Sequence, residues 1–110
     1  MSTAETLTPA VFHILLVLAR EDLHGLGIAE AVDQASAGTF KLGPGTLYRS
    51  LKEMLAAGLV EQIAAPDGED PRRRFYSISA RGRTCVTEEA ARLARIVDVA
   101  RDNEVLPDTP

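Results

Sequence analysis

The residues best suited to chemistry lie between Lys41 and Arg83. Arg72, Arg73 and Arg74 are consecutive. Three adjacent guanidinium groups repel one another and gain little from a core, but each can hold a phosphate or enter a minor groove. Upstream, Gly45, Arg49, Lys52 and Ala56 recur at helical spacing with Tyr48 on the flank. Small residues on such a face permit close approach, Arg and Lys supply charge, and Tyr reaches a phosphate or a base edge. The face therefore suits the major groove of a duplex. Gly45 and Thr46 fall in the first turn of that helix, where free backbone N–H groups attract phosphate, and Lys41 adds a cation just before it. The competing reading is a solvated helix face, with the arginines neutralised locally by Asp67, Glu69 and Asp70.

Net charge is −4, which taken alone argues against a polyanionic partner. The distribution argues for one. From Lys41 to Arg83 there are eight basic and five acidic residues, and the rest of the chain carries four basic and eleven acidic. A segregated positive segment matters more to such a surface than the total.

Other chemistries find little support. There is no Ser/His/Asp grouping, no Gly-rich phosphate loop and no poised carboxylate pair, so no catalytic residues are assigned. His13 and His24 have no Cys or His at ligand spacing, and neither a metal nor a cofactor is expected. His13 reads as a core-edge residue, and His24 as a helix-start residue whose imidazole can bond nearby backbone. Cys85 is the one cysteine, which excludes an internal disulfide. It reads as a small buried hydrophobe, with a redox sensor beside Arg81 as the sharper alternative. The longest apolar run, Ile14–Ala19, is too short to span a bilayer. Met1–Thr8 lacks the basic start of a signal peptide. A cytoplasmic protein with no membrane partner is expected.

These residues need a scaffold, and 110 residues with 45% hydrophobic content suffice for one domain. Thr8-Pro9 starts a first helix carrying Val11, Phe12, Ile14, Leu15, Val17 and Leu18, apolar nearly all round. A second helix begins near His24-Gly25 and stops at Ser36-Ala37-Gly38. Phe40 and Leu42 alternate with polar neighbours, which predicts a very short strand. Gly43-Pro44 opens the third helix, with Leu47, Leu51, Met54 and Leu55 turned inward and Gly58 as its stop. Leu59–Ala64 and Phe75–Ser79 alternate as strands around the polar loop Ala65–Arg73, a hairpin. Ser79 caps a fourth helix reaching about Arg101. The fold class is mainly α with a small β-hairpin. Three helices followed by a hairpin is the layout of a winged helix–turn–helix over residues 8–79, with a dimerisation helix at 80–101 and flexible tails at 1–7 and 102–110.

Along the fourth helix Val86, Ala90, Leu93, Val97 and Ala100 recur at spacings of 4, 3, 4 and 3, broadened by Ile96 and Val99. Such a seam predicts a homodimer, with Phe12 on the first helix joining the interface. The alternative is that the stripe packs only on its own domain.

The stretches His24-Gly25-Leu26-Gly27-Ile28, Gly43-Pro44-Gly45-Thr46-Leu47-Tyr48-Arg49-Ser50-Leu51 and Arg72-Arg73-Arg74-Phe75-Tyr76 resemble PadR-type regulators. So do Gly58-Leu59-Val60 and Ser79-Ala80-Arg81-Gly82. The resemblance spans residues 8 to 101 and implies a sequence-specific transcriptional regulator, usually a repressor, that binds double-stranded DNA as a homodimer. It puts Thr46, Tyr48, Arg49 and Lys52 on the recognition helix and Arg73 and Arg74 on the wing. It also implies release by a small molecule, and the apolar surface of the first and fourth helices suits an apolar or aromatic effector at the dimer interface. Leu26 departs from the pattern, since an aromatic commonly follows His-Gly. The single C-terminal helix matches the short branch of the family, without the larger effector cavity. A winged helix used for protein–protein contact, with Asp67–Asp70 meeting a basic partner, is the other reading.

Overall fold

The computed structural model describes residues 7–107. In chain order the elements are α1 (Pro9–Leu18), β1 (Leu23–His24), α2 (Gly25–Ala35), α3 (Pro44–Ala56), β2 (Val60–Ile63), β3 (Phe75–Ile78) and α4 (Ala80–Asp102). The strands form one antiparallel sheet in the order β1-β3-β2. This is a winged helix, with α2 and α3 as the helix–turn–helix and β2–β3 as the wing.

Side chains written beside the helix starts explain most boundaries. The Val11 N–H donates to Thr8 Oγ1 at 3.1 Å, the Gly27 N–H to His24 Nδ1 at 3.1 Å, and the Gly82 N–H to Ser79 Oγ at 3.0 Å. These bonds satisfy first-turn amides that the helix itself leaves orphaned. At the end of α3, Gly58 takes a φ of +75°. Its N–H donates to the Leu55 carbonyl and the Leu59 N–H to that of Met54, a Schellman turn that needs a left-handed residue.

The core forms where α1, α2 and α3 meet. Ile14, Leu15, Leu18, Ile28, Val32, Leu51 and Met54 are almost fully enclosed, joined by Val11, Leu47, Leu59, Val60, Tyr76 and Val86. The inward face expected for α3 is present, with Leu55 only half-buried. Half-buried His13 stacks on Phe40 with ring centroids 4.2 Å apart, and half-buried Cys85 packs against the core.

Four expectations are corrected. Phe40 and Leu42 form no strand; the extra strand is Leu23–His24, paired with Tyr76 and Phe75. With β1 on one side and β2 on the other, β3 is central. Phe75 and Tyr76 are consequently both buried instead of alternating. Val86 is 5% exposed within its own core, so it is not available to a subunit seam. Of the expected tails, residues 1–6 and 108–110 lie outside the described residues. Leu7, however, packs against the core, and Asn103–Leu106 folds back on the end of α4. There the Glu104 and Val105 N–H groups donate to the Arg101 and Ala100 carbonyls, with Glu104 at φ +61°.

Candidate nucleic-acid interface

Helix α3 presents the face that its periodicity demands. Because Leu47, Ser50, Leu51 and Met54 are buried, Gly45, Tyr48, Arg49, Lys52 and Ala56 are left exposed, and Thr46 is half-buried at the first turn. Gly43, the residue before this helix, provides no side-chain cap, and Pro44 has no N–H. The Gly45 and Thr46 amides therefore face solvent chemistry unaided, in contrast to the capped amides of α1, α2 and α4. No atom lies within 4 Å of where a β-carbon on Gly45 would sit, so this end of α3 is open to close approach.

The wing arginines differ from one another. Arg72 is engaged by Asp70: Nε and Nη2 donate to the two carboxylate oxygens at 3.1 Å, and its backbone N–H donates to Oδ1 at 3.0 Å. These bonds hold the Asp70 carboxyl below its ordinary range, with the side-chain bond from Arg72 the larger cause and its backbone bond next. Asp70 thus shapes the wing turn and occupies one of the three cations. Arg73 instead reaches the sheet edge, where its Nη1 meets His24 Nε2. Arg74 is exposed. Lys41 pairs with Asp33 on α2 at 3.0 Å and does not join the other cations. Both of these ion pairs are largely solvated and add little to stability.

Arg72, Arg73, Arg74 and Tyr48 meet at one cleft of about 450 Å³, also lined by His24, Gly25, Leu26 and Tyr76. Gly25 lets the helices close: a β-carbon there would overlap the Tyr48 hydroxyl and lie 3.0 Å from its Cζ. The Tyr76 hydroxyl is kept from ionising, its pKa pushed up first by burial and then by the neighbouring Tyr48 phenol, with Arg74 opposing. The Tyr76 phenol therefore keeps its O–H as a donor. His24 and Tyr76 are the members that sequence reasoning missed. A histidine before Gly signals a helix cap, but its meeting with Arg73 spans 49 positions of chain and leaves no local trace.

Among the described residues, no three His, Cys, Asp or Glu side chains come together to hold a metal. Among the same residues no helix is long and apolar enough to cross a membrane.

The family profile described as "Transcriptional regulator PadR-like family" matches residues 14–88. The chain belongs to the PadR-like family. Members of that family are DNA-binding transcription regulators. A PadR family transcription regulator from Clostridium difficile superposes with a TM-score of 0.73 at 22% identity, covering 86% of this chain and 97% of that one. RosR of H. salinarum superposes with a TM-score of 0.65 at 25% identity, covering 94% of this chain and all of the other. In sequence, the PadR-like chain is 35% identical over 83 residues to a 37.1 kDa protein of a Streptomyces fradiae transposon. It spans 22% of that relative's length and 76% of its own.

The expected dimer stripe is uncovered along most of α4. Only Gly82 and Val86 are buried on this 23-residue helix. Ile96 and Val99 are 51% and 56% exposed. Ala90 is also exposed, and Leu93, Val97 and Ala100 are half-buried, as is Phe12 on α1.

Proposed function

We propose that this PadR-like chain is a cytoplasmic, homodimeric, sequence-specific repressor. In this reading α3 enters the major groove with Thr46, Tyr48, Arg49 and Lys52, while Arg73 and Arg74 of the wing hold the backbone. The observation that carries it is the convergence of Tyr48 and the wing arginines on one cleft beside the exposed face of α3. Sequence selectivity follows from Arg49 and Lys52, which can reach base edges. Backbone affinity follows from the wing and the uncapped first turn of α3.

Dimerisation is supported by α4. Beyond Val86 its apolar residues are exposed or only half-buried within the protomer, and burying them against a second copy removes that surface from water. A two-fold pairing of this kind sets two recognition helices against successive major grooves, about 34 Å apart. An apolar effector has a suitable place between the end of α1 and α2. There a groove of about 420 Å³ is lined by Leu16, Val17, Ala31 and Ala35, with Arg20, Glu21 and Gln34 at its rim. A ligand that shifts α1 would alter the separation of the recognition helices, and coupling of about 1–3 kcal/mol makes a useful switch.

The test is selection of bound duplexes from a random pool, followed by affinity measurements across salt concentration. Arg49→Ala and Lys52→Ala are expected to change preference among sequences. Arg74→Ala is expected to weaken all duplexes evenly and reduce the salt slope by about one unit. A wild-type protein whose duplex binding does not depend on salt refutes the reading and favours a protein partner.

A further inference from the structure

The cleft between α2, α3 and the wing contains a hydrogen-bonding conflict that a ligand would resolve. As the cap of α2, His24 uses Nδ1 to accept the Gly27 N–H at 3.1 Å. An imidazole that accepts at one nitrogen must carry hydrogen on the other, so Nε2 is N–H. The group facing Nε2 is Nη1 of Arg73, and a guanidinium can only donate. Two donors therefore point at each other with no acceptor between them.

Tyr48, Tyr76 and Arg74 extend the pattern, whereas Arg72 on the same wall is already engaged by Asp70. Tyr48 also lines the cleft and lies against Gly25, its hydroxyl the ring atom nearest that glycine. Tyr76 is only 6% exposed, lines the cleft, and makes no hydrogen bond through its hydroxyl among the described residues. Arg74 adds a second guanidinium, and Gly25 and Leu26 bring the positive end of α2 to the same wall. Among the described residues no carboxylate lines the cleft itself; Asp70 is bonded to Arg72. With His24 Nε2 and Arg73 facing each other as donors, two phenol O–H groups beside them and Arg74 on the same wall, the cleft is rich in donors and positive charge and suits an anion with several oxygens.

We propose that His24 Nε2, Tyr48, Tyr76 and Arg73 together cradle a single phosphodiester of the bound duplex, pinning α2 and the wing to the same backbone position. This rests on the DNA-binding reading and adds a specific contact to it. The phosphate oxygens would separate His24 from Arg73 and accept from both, so the cap of α2 is kept while the conflict disappears. His24 then contributes a neutral donor, whereas Arg73 contributes charge, and the two differ in how salt affects their loss.

The experiment uses the full chain and a duplex recovered from the random pool, with each backbone phosphate replaced in turn by an uncharged methylphosphonate. For the wild type, one phosphate per half-site is expected to be more sensitive than its neighbours. His24→Asn keeps a good cap but removes the Nε2 donor. It is expected to weaken binding about tenfold, the loss of one hydrogen bond to a charged group, without changing the salt slope. It should also reduce the penalty for methylphosphonate at that one position. Arg73→Ala should abolish the same penalty and lower the slope by about one unit. Tyr76→Phe, which removes only a hydroxyl, serves as the second probe of the same position if His24→Asn lowers the melting temperature. Duplex binding with an unchanged methylphosphonate profile in His24→Asn and Tyr76→Phe overturns the cradle and leaves the DNA-binding reading intact. Failure of the wild type to bind any duplex overturns both.

Discussion

Replacing Gly82 with alanine should destabilise the protein, although the same change in an ordinary helix is favourable. Gly82 is the third residue of α4, and its N–H donates to Ser79 Oγ at 3.0 Å. The same hydroxyl donates to the Gly58 carbonyl at 2.6 Å, and the Ser79 N–H donates to the Leu59 carbonyl at 3.0 Å. The start of α4 is thus tied down onto the chain leaving α3. A β-carbon on residue 82 would overlap the Leu59 carbonyl oxygen and come within 3.1 Å of Leu59 C and Ile78 Cγ1. The carbonyl cannot turn aside without giving up the Ser79 N–H. Helix propensity favours alanine by about 1 kcal/mol. Overpacking against backbone costs about 1–3 kcal/mol, and each hydrogen bond strained at the Ser79 junction costs about 1 kcal/mol more. The net loss is roughly 2–3 kcal/mol, which for a domain of this size lowers the melting temperature by roughly 10–20 °C. Thermal and urea unfolding measure it directly. Gly45→Ala is the control, because a β-carbon there meets open space. That variant should keep its melting temperature while losing duplex affinity, since the added methyl stands on the groove-facing surface. A Gly82→Ala protein as stable as wild type would refute the close approach of α4 to Leu59.

At the end of α2, Ala37 sits at φ +53°, so Ala37→Gly should stabilise the fold by about 1 kcal/mol and raise the melting temperature by a few degrees. Ile96→Glu should yield a folded monomer by sedimentation velocity, because Ile96 is half-exposed on the uncovered part of α4. Val86→Glu should unfold the protomer itself, because Val86 belongs to the core. The Asp70 carboxyl has its pKa depressed by Arg72. Its contribution to the wing turn is therefore present at neutral pH and lost as pH falls through that lowered value. Carbon-13 titration of the Asp70 carboxyl should show a midpoint below that of a free aspartate, and Arg72→Ala should restore the ordinary one.

The sequence alone determined whatever rests on neighbours a few positions apart. Thr8, Gly58 and Ser79 mark helix ends because capping bonds span about three to five residues of chain, and Gly43-Pro44 marks one because proline suits the first helical position. The outward face of α3 follows from the inward one by helical period, so Arg49 and Lys52 were legible as exposed before any fold was known. Tertiary structure decided the rest. Leu23–His24 is a strand only because β3 lies beside it, and two residues carry no periodicity that could announce this. Phe40 and Leu42 have the alternation but no partner to pair with. Val86 and Ile96 both belong to one apolar stripe in sequence. Val86, near the start of α4, packs into the core, while Ile96 further along is exposed. Among the cations, Asp33 takes Lys41 and Asp70 takes Arg72, while Arg73 is carried to His24, 49 positions away. Spacing along the chain fixes which residues share a helix face. Which donors are left without an acceptor depends on distances between elements, and those exist only once the chain has folded.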